Sequence, residues 1–130
     1  MKESQKENGK IIIDKGIEKL TVAEELFGKD HYDDACSRAY YAVYHCITAI
    51  LFLKGLTYST HSQTIGAFNK EYVKNNIFPK EFTSKIQRLF DNRQLGDYDV
   101  YKKITKDMAE IDIQNAKVII ERIVEYINSK

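Results

Sequence analysis

The last quarter of the chain carries the feature that most strongly constrains its fold. From Lys106 to about Asn128, small and branched apolar residues recur at alternating spacings of four and three. This period fits one face of an α-helix, and the segment is too long for a typical β-strand. Thr105, just before the repeat, suits the N-cap position of that helix. The repeat consists of Ala109, Ile113, Ala116, Ile120, Ile123 and Ile127.

Four earlier segments also show helical periodicity, separated by Gly, Asn and Pro residues that are typical of turns. Four long helices and one shorter helix with short links predict an all-α, antiparallel up-and-down helical bundle. Residues 1–9 are polar and are expected to be loose, which leaves residues 10–130 as a single helical domain. The predicted helices run from Lys10 to Phe27, from the N-cap Asp30 to Leu53, from the N-cap Ser59 or Thr60 to Tyr72, and from Pro79 to Leu95.

Charge and hydropathy exclude several classes of protein. The 130 residues carry a formal charge of only +1 and are 43% hydrophobic, so composition excludes both a disordered chain and a strongly basic nucleic-acid binder. The longest nearly apolar stretch, from Ile47 to Leu53, is too short to cross a bilayer. The N-terminus lacks the apolar segment of a signal peptide. We therefore expect a cytoplasmic protein that has no membrane partner.

The cysteines and histidines do not indicate a cofactor. Cys36 and Cys46 fall in one predicted helix, about 15 Å apart, whereas a disulfide allows roughly 7 Å. Both are expected to be reduced thiols in the core. The three histidines are too dispersed for a zinc site, and no Gly-rich phosphate loop is present. The sequence therefore predicts neither a metal nor another cofactor.

Arg93 is the clearest polar residue at an apolar position. It continues the stripe of the fourth helix that otherwise carries Phe and Ile, and an unpaired buried arginine costs several kcal/mol. Either a helix-end ion pair with Asp97 or Asp91 compensates it, or it faces a cleft. The sequence leaves both alternatives open.

Helices two and three supply further candidates for a site. Arg38, Tyr41 and His45 share one side of helix two with Tyr44, next to a second face that is apolar. Two covered faces on helix two and the wide stripe of the last helix together predict a homodimer. His61 lies in a first helical turn, where backbone N–H groups favour the neutral imidazole. His45 and His61 are functional candidates unless they only pack or cap.

Several short motifs, in this order, resemble the HEPN domain family, in particular its small stand-alone prokaryotic members. They are the run from Ser37 to His45 (SRAYYAVYH), the Thr-His-Ser at His61, and the Arg-Gln-Leu-Gly-Asp-Tyr that begins at Arg93. The resemblance implies a helical bundle and a homodimer in which the arginines face each other across a cleft. It also implies a toxin–antitoxin module with a minimal nucleotidyltransferase as the partner.

Many members of that family are metal-independent ribonucleases in which the arginine steadies a phosphate and a following histidine assists the RNA 2′-hydroxyl. Here Arg93 matches the arginine, but Tyr98 stands in place of the histidine, and a phenol with a pKa of about 10 is a poor base. His61 is the alternative imidazole. The candidate catalytic residues are therefore Arg93, Tyr98 and His61, and the candidate binding residues are Arg38, Tyr41, His45 and Asp97.

The resemblance also implies that a tyrosine after the motif can accept AMP from the nucleotidyltransferase, and Tyr98 and Tyr101 are the available acceptors. Three alternatives for the function remain open. In the first, the dimer binds RNA or a nucleotide around Arg93 as a toxin with weak or degenerate ribonuclease activity. In the second, it is a non-enzymatic subunit that holds a nucleotide or substrate for the nucleotidyltransferase. A helical interaction module whose tyrosines only pack is the third alternative.

Overall fold

The computed structural model describes residues 3–130 and contains five α-helices. A π-helical turn, Asn69–Val73, continues the short third helix. Within the described residues there is no β-strand, and no helix is long and apolar enough to cross a membrane. The prediction of an all-α bundle with four long helices and one shorter helix is confirmed. The helices are α1 (Glu3–Gly28), α2 (Tyr32–Leu53), α3 (His61–Phe68), α4 (Glu81–Tyr98) and α5 (Lys106–Asn128).

Helix α5 has the bounds that its apolar period predicts. The hydroxyl of Thr105 accepts a hydrogen bond from the backbone N–H of Met108 at 3.2 Å, as expected of an N-cap. The apolar stripe is buried from Ala109 to Ile123 and lies against α1, α2 and α4. The width of this stripe is therefore accounted for by neighbours within the chain and is no longer an argument for a dimer.

Helices α1 and α2 pack closely and run antiparallel, because Gly9 lies against Leu53 while Gly16 lies against Cys46. Helix α1 begins at Glu3, seven residues before the predicted start at Lys10. Residues 3–9, which the sequence predicts to be loose, are helical and belong to α1. The missing side chain of Gly9 lets this polar turn dock on the end of α2, where the side-chain amide of Gln5 donates a 3.2 Å hydrogen bond to the carbonyl of Phe52.

Two other helix starts differ from the prediction. Asp30 is not the N-cap of α2, since its φ of 66° places it in the left-handed region at the end of α1. Its carboxylate instead accepts a 2.9 Å hydrogen bond from the hydroxyl of Tyr32. Helix α4 begins at Glu81, two residues after Pro79. The prediction of a threonine or serine cap for α3 is confirmed, because Thr60 accepts from the backbone N–H of Gln63 at 3.1 Å.

Both cysteines are free and buried in α2, as predicted. Burial raises the pKa of Cys46 to about 12. Burial, reinforced by the charge of Asp112, raises the pKa of Cys36 even further. Both side chains therefore remain uncharged thiols at neutral pH.

Candidate functional site

A groove of about 520 Å³ opens between α1, α2 and the first turn of α3, and we call it the central groove. It brings together four of the candidates that the sequence predicts: Arg38, Tyr41, His45 and His61. Within residues 3–130, no three His, Cys, Asp or Glu side chains are placed to hold a metal ion. The groove is lined by Lys15, Lys19, Asp34, Ser37, Arg38, Tyr41, Tyr44, His45 and His61.

One face of α2 forms a wall of the central groove. Arg38, Tyr41 and His45 follow each other at spacings of three and four, so their side chains project from the same side of the helix. Tyr41 and His45 are half-buried and Arg38 is exposed. Within the single chain, the polar members of this second face of α2 border the open groove.

Arg93 lies behind Tyr41 rather than in the lining of the groove. Its Nη2 donates a short hydrogen bond to the hydroxyl oxygen of Tyr41, and its side chain is only 12% exposed. The Nε atom is 3.4 Å from the Asp97 carboxylate but is not aligned for a hydrogen bond, and no residue in 3–130 provides it with another acceptor. Both sequence-based alternatives are therefore partly correct, since Arg93 is in an ion pair and also adjoins a cleft.

The guanidinium of Arg93 is surrounded by aromatic rings. Its central carbon is 5.1 Å from the ring centre of Tyr41, 5.6 Å from that of Tyr40 and 5.5 Å from that of Tyr98. Cation–π attraction is worth about 0.5–1 kcal/mol at exposed sites and about 2 kcal/mol or more when the cation is desolvated. The arginine is therefore held in place by electron-rich surfaces as well as by Asp97.

His61 is fixed in the first turn of α3 by two tyrosines of α2. Its Nδ1 lies 2.7 Å from the Tyr40 hydroxyl, and its ring stacks on Tyr44 with a centroid distance of 4.0 Å and an interplanar angle of 14°. Burial and the nearby charge of Arg93 lower the pKa of His61. The imidazole is therefore neutral at pH 7.

The hydrogen-bond partners of Tyr40 and Tyr41 decide which atoms of the site carry protons. Within residues 3–130, the buried hydroxyl of Tyr40 has no partner other than Nδ1 of His61, so it donates to that nitrogen. The proton of the neutral imidazole is then on Nε2. Tyr41 accepts from Arg93 and has no acceptor of its own in the same part of the chain. Within residues 3–130, the Nε2–H of His61 and the O–H of Tyr41 are therefore donors without an acceptor, and both residues line the central groove.

Tyr98 and Tyr101 lie outside the central groove. Tyr98, at the end of α4, is 70% exposed on one side while its ring contacts Arg93 on the other. Tyr101 is 93% exposed on the segment that follows. Both border a shallow depression of about 460 Å³ together with the exposed Val100. The structure thus places Arg93 between this depression and the central groove.

Sequence reasoning missed a buried polar cluster that holds α4 against α5. Asp112 is fully buried and accepts hydrogen bonds from Nε of Arg88 at 3.1 Å and from the side-chain amide of Asn92 at 2.7 Å. Asn92 precedes Arg93, so the cluster fixes the part of α4 that carries the arginine. A signal was present, because Asp112 falls three residues after Ala109 on the buried face of α5.

Lys15 and Lys19 were also missed, although both line the central groove from α1. A lysine among the charged residues of an amphipathic helix has no sequence signal that separates it from a solvated surface residue. Only the packing of α1 on α2 reveals which lysines border the groove.

The fold and the central groove define a small all-α bundle protein with an aromatic, donor-lined groove beside a buried arginine. The model of the HEPN domain matches residues 10–127. The chain therefore belongs to the HEPN domain family, as the resemblance of its motifs predicts.

Several curated proteins are similar to this chain over most of its length. "Putative toxin MJ0142" of Methanocaldococcus jannaschii is 31% identical over 119 residues, which cover 92% of this chain and 81% of the relative. "Putative toxin MJ0605" of the same organism is 31% identical over 112 residues, covering 86% and 83%. A "UPF0332 protein" of Thermotoga maritima is 34% identical over 98 residues, covering 75% and 69%.

Proposed function

We propose that this chain is a toxin-like HEPN protein that binds RNA by placing a phosphate group in the central groove. The observation that carries the proposal is the pair of unused donors on Tyr41 and His61. A phosphate oxygen only accepts hydrogen bonds, so it matches the Tyr41 hydroxyl and the His61 imidazole, whose acceptor atoms are already occupied from within the protein. The names of the two relatives from Methanocaldococcus jannaschii support the toxin-like part of the proposal.

In this mechanism Arg93 acts through Tyr41. Its positive charge polarises the Tyr41 hydroxyl and attracts the phosphate from behind, in a site where partial burial strengthens the electrostatic interaction. His61 donates from Nε2. Because that nitrogen carries the proton, it has no lone pair with which to deprotonate the RNA 2′-hydroxyl. We therefore expect firm binding and only slow, metal-independent cleavage.

Fluorescence anisotropy with a labelled single-stranded RNA tests the binding proposal. Losing a hydrogen bond to a charged group costs about 1.5–3 kcal/mol, so Arg93→Ala and Tyr41→Phe should each weaken binding by about ten- to a hundredfold. Arg122→Ala removes the same charge from an exposed position outside the groove and should bind like the wild type. Equal affinity for all four proteins would contradict the proposal. The same samples, incubated with a chelator, report any metal-independent cleavage.

The exposure of Tyr101 favours a second function, in which a minimal nucleotidyltransferase modifies this chain. The phenol oxygen of Tyr101 or Tyr98 attacks the α-phosphorus of ATP, a phosphodiester forms, pyrophosphate leaves and the phenol proton passes to solvent. An adenylyl group on Tyr98 would place negative charge beside Arg93 and compete with RNA. Mass spectrometry after incubation with ATP and the nucleotidyltransferase encoded nearest to this chain should show one added adenylyl group. Its persistence in a Tyr98→Phe/Tyr101→Phe variant would exclude both acceptors.

The non-enzymatic alternative makes a different prediction. If this chain only holds a nucleotide or substrate for a nucleotidyltransferase, the two proteins should co-purify. ATP should then raise the melting temperature in the wild type but not in Arg93→Ala. If neither ATP nor RNA binds, the chain is best described as a helical interaction module.

We also propose that the chain forms a homodimer through the surface around Tyr98 and Val100. These apolar side chains are exposed next to the ring contact between Tyr98 and Arg93. A second copy over this surface would remove apolar area from water and bring the two arginines toward one cleft. Light scattering at micromolar concentration should give twice the 15.1 kDa mass of the chain. A monomeric mass would refute this proposal.

A further inference from the structure

We propose that α1 supplies a second phosphate-binding subsite, formed by Lys15 and Lys19. The central groove would then hold a segment of single-stranded RNA with at least two phosphates rather than one isolated phosphate. This inference rests on the proposed binding of RNA at Tyr41 and His61, and it extends that site along the groove.

The first argument for the α1 subsite is the charge of the residues that line the central groove. Lys15, Lys19 and Arg38 all line it, and within residues 3–130 none of the three pairs with a carboxylate. Asp34 is the one acidic residue in the lining. A chain with a net charge of only +1 thus gathers three cations against one carboxylate on one concave surface. Such a concentration attracts a polyanion.

The second argument for the subsite is the position of Lys15 and Lys19 on α1. They are four residues apart and therefore lie on the same side of α1, one helical turn from each other. His45 borders the same part of the groove, and its pKa is lowered by burial, then by the charges of Lys19 and Lys15. Lys15, Lys19 and His45 therefore line one groove in which the two lysine charges act on the imidazole, and the neutral imidazole does not add to their repulsion.

The third argument for the subsite is the spacing of the residues along α2, which form one wall of the groove. Tyr41 and His45 are four residues apart, which corresponds to about 6 Å along the helix axis. The donor pair on α2 and α3 and the lysines on α1 line one groove of about 520 Å³, and the step from Tyr41 to His45 is one helical turn along its wall. Neighbouring phosphates of an extended strand have a separation of the same order. A mononucleotide would occupy one of these positions, whereas a strand would occupy both.

The salt dependence of binding by a labelled six-nucleotide oligouridylate tests the α1 subsite. Releasing the counterions of one single-strand phosphate contributes about 0.7 to the slope of log affinity against log salt. Lys15→Gln/Lys19→Gln should lower that slope by about 0.7 and weaken binding at low salt by about tenfold or more. The matched control, Lys10→Gln/Lys29→Gln, removes the same charge from α1 and its end, outside the lining, and should keep the wild-type slope.

Uridine 5′-monophosphate and ATP separate the remaining outcomes. Lys15→Gln/Lys19→Gln should weaken binding of the monophosphate less than binding of the oligouridylate, whereas Tyr41→Phe should weaken the binding of both. If the oligouridylate binds the lysine variant and the control with the same slope, the α1 subsite is wrong although RNA binding stands. If the lysine variant loses affinity for ATP alone, the lysines hold a nucleotide polyphosphate and the inference is overturned. If the wild type binds neither uridine ligand, both proposals fail.

The titration of His45, followed by NMR, provides a readout that does not depend on a ligand. Removing the two lysine charges should raise the pKa of His45 in Lys15→Gln/Lys19→Gln, since both charges now lower it. The rest of the spectrum of Lys15→Gln/Lys19→Gln should match that of the wild type, which also shows that the variant is folded. An unchanged pKa of His45 would place the lysines away from the groove and overturn the subsite.

Discussion

Replacing Gly16 with alanine should separate α1 from α2 at their closest approach. The added Cβ would lie 2.7 Å from Sγ of Cys46 and 3.0 Å from the carbonyl oxygen of Ala42. Alanine in a helix interior gains about 1 kcal/mol over glycine, whereas overpacking a core costs about 1–3 kcal/mol. The Ala42 carbonyl belongs to the helix and cannot rotate away, so we expect the upper part of that range. The net loss in the free energy of unfolding is then about 1–2 kcal/mol.

Urea denaturation followed by circular dichroism measures this loss, with Gly66→Ala as the matched control. An added Cβ at Gly66 meets no heavy atom within 4 Å in α3, so the same substitution there should stabilise the protein by up to about 1 kcal/mol. The cost of Gly16→Ala should shrink in a Cys46→Ala background, which removes the nearest contact. A Gly16→Ala variant as stable as the wild type would refute the reasoning. Since Lys15 adjoins Gly16, the substitution should also weaken binding of the oligouridylate.

Three further predictions concern the polar groups of the core and the groove. Asp112→Ala leaves the buried amide of Asn92 without its acceptor and should lower the free energy of unfolding by about 1–3 kcal/mol in urea denaturation. Burial, first among the causes, lowers the pKa values of His45 and His61, so the unfolded chain takes up protons at higher pH than the folded one. Stability, measured as the melting temperature, should therefore fall as the pH drops below about 6.5, and less steeply in His45→Gln. Tyr40→Phe should release Nδ1 of His61, and ¹⁵N NMR should show a loss of the tautomer that carries its proton on Nε2.

Periodicity was sufficient to predict the helices whose apolar faces are continuous. The stripe of α5 and the Thr105 cap gave its bounds because each residue of the pattern packs within the chain. The start of α1 could not be predicted in this way, since residues 3–9 are polar and are held by contacts of Gly9 and Gln5 with the distant end of α2. Asp30 shows the same limit, because an aspartate suits both an N-cap and the left-handed position that it adopts.

The candidate site was predictable where a polar residue interrupts an apolar stripe. Arg93 was identified on that ground, and the shared face of α2 identified Tyr41 and His45. The positions of the protons could not be predicted from the sequence, because Tyr40 follows the pattern of an ordinary core residue. Only the structure shows that its hydroxyl lies beside His61. The lysines of α1 become visible only through tertiary packing, which no local pattern encodes.

The reaction of the two buried cysteines with a thiol reagent reports whether the helical bundle is intact. A thiol reagent reacts with a thiolate that is accessible to solvent. In the folded chain Cys36 and Cys46 are buried, and their raised pKa values keep them as uncharged thiols. Labelling of either cysteine therefore requires α2 to open, and the labelling rate depends on how often the bundle opens. RNA or a second copy that binds only the folded chain would make this modification slower.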